Sequence, residues 1–62
     1  MNLIDRYIYA VAECLPNNIR DDITKELRAN IEYMLTNSYT EEDVYRVLEE
    51  LGSPMNLANE YN

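Results

Sequence analysis

The side chains of this chain that could do chemistry are almost all carboxylates: twelve Asp and Glu, against five Lys and Arg, one Cys and no His. Acid–base catalysis near neutral pH needs a titratable group tuned toward 7, and His supplies one most directly. A carboxylate reaches that range only when burial or a second carboxylate raises its pKa. The acids here fall mostly on the polar sides of helical patterns, where water keeps them ionised. Glu41-Glu42-Asp43 and Glu49-Glu50 offer oxygen donors to a divalent cation. Their spacing is not that of a calcium loop, which alternates its ligands around a central Gly. Without His or a cluster of Cys a structural zinc site lacks its usual ligands. These acids therefore read as a helix start and a solvated helix face. No catalytic, metal-ligating or cofactor-binding residue is expected, and no cofactor. A chain of 62 residues is also too small to wall a substrate pocket of the usual ~300–1,000 Å³.

The remaining unusual residues read as packing or contact. Cys14 projects into an apolar sector and is expected to be a small buried hydrophobe. A reactive thiol would want neighbouring positive charge and exposure, and neither is evident. The chain has six Tyr and neither Phe nor Trp. Tyr7 and Tyr61 fall on core-facing sides. Tyr9 lies with polar residues, and Tyr33 and Tyr45 flank apolar stripes. An amphipathic ring at a core margin covers apolar surface while its hydroxyl stays wet, and it also suits a protein interface. Tyr9, Tyr33, Tyr39 and Tyr45 are the candidate contact residues on this ground. Arg20 lies amid Ile23, Leu27 and Ile31 on the helical wheel. It is expected either to lay its stem on apolar surface with its head in water or to pair with an acid of another helix. Asn30, in the same sector, needs a hydrogen-bond partner there or a partner protein.

Four helical segments position these residues. Leu3, Ile4, Tyr7, Ile8, Val11, Cys14 and Leu15 recur at spacings of three and four, which predicts an amphipathic helix over about 2–14. Pro16 disfavours helical geometry at Leu15 and ends it. A second helix over about 17–36 carries Ile19, Ile23, Leu27, Ile31, Met34 and Leu35 as its buried stripe. Asp21 and Asp22 stand near its positive end, and Asn37-Ser38 reads as a loop. Thr40-Glu-Glu-Asp43 resembles a capping box with Asp in the place of Glu or Gln. It opens a third helix over 41–51 with Val44, Val47, Leu48 and Leu51 on one face. Gly52 suits a left-handed helix end, Ser53 a cap, and Pro54 a first turn. A fourth helix over 54–61 would bury Leu57, Ala58 and Tyr61, and at that length it needs the others to be stable. The fold class expected is all-α, a small three-helix bundle with a short fourth C-terminal helix, forming one domain over 1–62. About twenty side chains can make its core, each full burial contributing roughly 1.5–3 kcal/mol before entropy is subtracted.

Charge and composition narrow the function classes. A net charge of −7 repels nucleic-acid phosphates and anionic lipid headgroups, which are bound through clustered Lys and Arg. No nucleic acid is expected among the partners. No stretch approaches the ~20 apolar residues that cross a bilayer, so residues 1–62 are not expected to insert into a membrane. The start of the chain lacks the basic lead and apolar run of a secretion signal, and one unpaired Cys favours a reducing compartment. A cytoplasmic location is the expectation.

Two patterns carry a family resemblance. The first is Tyr7-Ile8-x-x-Val11-x-x-x-Leu15-Pro16-x-x-x-Arg20-x-Asp22-Ile23-x-x-Glu26-Leu27. The second is Glu42-Asp43-Val44-x-x-Val47-Leu48-x-x-Leu51-Gly52-x-Pro54-x-x-Leu57-Ala58-x-x-Tyr61. In this order they resemble the HAAS-type helical signalling domain, also described as a permease prefix domain. That family consists of small all-helical units at the N-terminus of bacterial membrane proteins, often encoded beside a PadR-like transcription regulator. The resemblance implies a non-catalytic signalling or protein–protein interaction module at the cytoplasmic face of a membrane. It implies that membrane helices follow Asn62 in the native protein, so that the partner is another protein or the membrane portion of the same chain. Of the family's characteristic positions, Arg20 and Glu26 are the two that read as neither corner nor core, and they join the tyrosines as candidates for helix pairing or partner contact. The alternative is a structural folding cap or homo-oligomerisation cap, most simply a homodimer.

Overall fold

The computed structural model describes residues 2–35 and 38–61. Its order is α1 (Leu3–Glu13), α2 (Asn17–Met34), α3 (Glu41–Leu51) and α4 (Pro54–Asn59), with no strand among the described residues. This is the small all-α architecture that the helical periodicity predicts. The expectations for Thr36 and Asn37 lie outside the described residues.

Each helix start has its own local cause. At α1 the Asn2 side chain accepts the backbone N–H of Asp5 at 2.8 Å, a cap that the apolar periodicity did not reveal. α2 follows Pro16, whose φ of −59° and ψ of 147° place it just outside the helix, and no side chain caps it. Asp21 and Asp22 stand in its second turn rather than its first, so they sit farther from the positive helix end than the sequence suggested. At α3 the reciprocal box is present: the Asp43 N–H donates to the Thr40 hydroxyl at 3.2 Å, and the Thr40 N–H donates to the Asp43 carboxylate at 2.9 Å. At α4 the Ser53 hydroxyl accepts the Asn56 N–H at 3.2 Å, with Pro54 in the first turn. Beyond Asn59 the chain tightens into shorter turns, Glu60 N–H to Leu57 and Tyr61 N–H to Ala58.

Packing is organised around α1. The other three helices each rest on it, while α2 and α3 make no comparable contact with one another. The sequence of α1 explains this role. It presents two adjacent rows, Leu3-Tyr7-Val11-Leu15 and Ile4-Ile8, whereas α2 presents one, Ile19-Ile23-Leu27-Ile31-Leu35 at strict i+4 spacing. Among the described residues eleven are buried, with Val11, Leu27 and Ile31 almost completely enclosed. Seven more, among them Ile23, Leu48 and Leu51, pack against them partly exposed. Across the corner, the Tyr7 hydroxyl donates to the Gly52 carbonyl at 2.8 Å and ties α1 to the α3–α4 junction. An exposed ion pair, Arg28 Nη2 to Asp5 Oδ1 at 2.9 Å, links α1 to α2.

Two expectations about packing are corrected. Met34 is exposed; Asn30 is exposed too, which leaves the alternative of facing a partner protein. Each precedes a member of the i+4 row by one residue, and 100° of rotation carries both off the ridge that meets α1. Cys14 is exposed as well. It lies at the margin of the α1 sector and one residue past the helix, where the junction buries Leu15 instead.

Candidate interaction surface

Two open clefts flank α3, and Tyr39 borders both. The first lies between the starts of α1 and α3, about 390 Å³, with Leu3, Ile4 and Val44 below and Arg6 and Glu41 at its edge. The second, about 310 Å³, separates the end of α2 from α3. Its floor is Met34, Leu35 and Val47, and its rim carries Asp43, Arg46 and Glu50. The cleft exists because α2 and α3 both pack on α1 instead of on each other. Leu35 and Val47 are thus core residues with one edge at the cleft.

The charge on this side is predominantly negative. α3 carries Glu41, Glu42, Asp43, Glu49 and Glu50 against Arg46 alone. Arg46 is engaged, its Nη1 lying 3.2 Å from Asp43 Oδ1. The backbone N–H of Thr40, then its hydroxyl and the Arg46 guanidinium, hold the Asp43 carboxyl below its ordinary range, so Asp43 is a fixed anion at neutral pH. Neither α2 nor α3 has a basic residue in its last turn to offset the negative end of its dipole.

The residues singled out from the sequence do not form one patch. Tyr39 alone of the four candidate tyrosines borders a described cleft. Tyr33 is the most exposed at 88%, and Tyr45 and Tyr9 are also exposed. Tyr9 lies toward the other end of α1, where the neighbouring Glu13 carboxylate raises its pKa and Arg20 opposes that shift. Arg20 is half-buried. Its Nη2 donates to the Leu15 carbonyl at 3.0 Å, closing the α1–α2 junction, and among the described residues it makes no ion pair. Glu26 is exposed on α2 and pairs with no cation among the described residues. Of the other lining residues, Arg46 carried no expectation, Glu50 was read only as part of a solvated helix face, and Met34 was assigned to the buried stripe. The signal for Met34 was available, since the i+4 row from Ile19 to Leu35 passes it by.

Among the described residues no group of three or more His, Cys, Asp or Glu is placed to hold a metal ion. No described helix is long and apolar enough to cross a membrane. No protein family, curated protein or solved structure matches the chain.

Proposed function

We propose that this chain is a non-catalytic protein–protein interaction module that acts through its helix surfaces, of the kind found at the cytoplasmic start of bacterial membrane proteins. The observation that carries the reading is the open cleft between the end of α2 and α3, bordered by exposed Met34 and Tyr39, with Tyr33 and Tyr45 exposed outside it on the same two helices. Aromatic and Met side chains are enriched at protein interfaces, and a tyrosine contributes contact area at small entropic cost. The resemblance of the chain's two halves to the HAAS-type domain supports the same reading and adds the signalling role. It also supports a protein partner or the membrane part of the same chain as the binding surface.

Quantitative capture from the native host tests this. Wild-type bait is compared with a Tyr33→Ala/Tyr39→Ala/Tyr45→Ala bait of matched fold by circular dichroism. One specific protein enriched by the first and lost with the second is the expected result. Equal recovery by both baits, or no specific protein, contradicts it.

A second reading, a homo-oligomerisation cap, draws on the half-exposed apolar pair Leu3 and Ile4 at the first cleft. Sedimentation from micromolar to millimolar concentration separates the two. A concentration-independent monomer removes the oligomeric reading.

A further inference from the structure

We infer that the cleft between the end of α2 and α3 receives a basic amphipathic helix. This deepens the interaction reading above and rests on it. Three observations select that occupant. First, the floor is apolar and formed by neighbouring helices, Met34 and Leu35 from one and Val47 from the other, the geometry into which one face of a third helix packs. Second, the rim carries net negative charge: Asp43 and Glu50 flank it, and the single lining cation, Arg46, is already held by Asp43. A cationic helix therefore finds the Glu50 carboxylate, which no cation among the described residues pairs, and the negative end of the α2 dipole. Third, a second copy of this chain would bring another −7 to the same surface. Like charge across an interface opposes docking, so the charge that favours a basic partner disfavours self-association here. A volume of about 310 Å³ stands at the lower limit for a small-molecule site and suits a few side chains inserted from a helix.

The test uses a synthetic helix of Leu at i, i+3, i+4 and i+7 with Lys elsewhere, its Glu-for-Lys counterpart, and ¹⁵N-labelled protein. Titration with the Lys peptide is expected to shift the amides of Met34, Tyr39, Val47 and Glu50, with no response to the Glu peptide. Glu50→Lys should weaken binding roughly fivefold, as expected for a rim charge. Asp22→Lys makes the same change in net charge one helix-length away and should leave affinity within about twofold. Shifts scattered over all acidic residues, equal loss in both variants, or no response to the Lys peptide each overturn the inference. So does a shift of the same amides with protein concentration alone, which would place a second copy in the cleft. None of these results bears on the capture experiment, so failure of the occupant and failure of the interaction reading are told apart.

Discussion

Tyr7 does two jobs with one side chain. Its ring is buried on α1, and its hydroxyl satisfies the carbonyl of Gly52, forty-five residues away in the chain. Burial, and secondarily the charge of Glu60, raise its pKa above the ordinary 10.0. The folded state therefore favours the neutral phenol. Its contribution is whole below the unfolded value and is lost as pH rises through the folded one. Tyr7→Phe keeps the ring and removes the bond. Denaturant unfolding at neutral pH is expected to show a loss of about 1 kcal/mol. The gap between wild type and variant should narrow at strongly alkaline pH, and an unchanged gap contradicts the assignment. The periodicity placed the Tyr7 ring in the core. It could not reveal the acceptor of the hydroxyl, because a contact between residues 7 and 52 is a property of the assembled corner. The acceptor of Arg20 was out of reach of the periodicity for a related reason. Helical-wheel position indicates which way a side chain leaves, and its half-buried head found a backbone carbonyl at the junction, where the forecast had an acid or water.

At the level of elements, the α3–α4 corner depends on backbone conformation more than on contacts. Gly52 has φ 89° and ψ −173°. The positive φ is what a Gly at a helix end suggests, but the extended ψ places it outside the left-handed helical well and in a region that only glycine populates readily. Nothing lies within 4 Å of where a Cβ would stand, so a substitution there meets backbone strain and no clash. Gly52→Ala is expected to cost about 1–3 kcal/mol in chemical denaturation, with α4 loosening first in amide exchange. A neutral effect would mean the corner relaxes into another conformation at no cost. The caps of α3 and α4 were legible because their signals are local, Thr40 with Asp43 and Ser53 before Pro54. Met34 and Cys14 are exposed against expectation because a helical wheel widens every stripe. Contact with a single neighbouring helix uses one i+4 row, and that narrower band is known only once α2 lies against α1.

The whole molecule exposes more surface than its mass requires. Its accessible area is 4571 Å², against roughly 4,200 Å² for a compact monomer of 7.3 kDa. Its radius of gyration is 11.4 Å, against about 10.6 Å for 62 folded residues. An arrangement in which three helices lean on one leaves open clefts on both flanks of α3. Helix content and the identity of most core residues could be read from the sequence. The cleft could not, because it arises from which helices fail to meet, and no single segment encodes that. The central claim is that this flank meets another protein. A photoreactive phenylalanine analogue at Tyr39, compared with the same analogue at Asn18 near the α1–α2 junction, tests it most directly in living host cells. The account predicts a discrete heavier adduct from position 39, with the mass of this chain plus a different protein, and none from position 18. No adduct from position 39, or one with the mass of two copies of this chain, would contradict it.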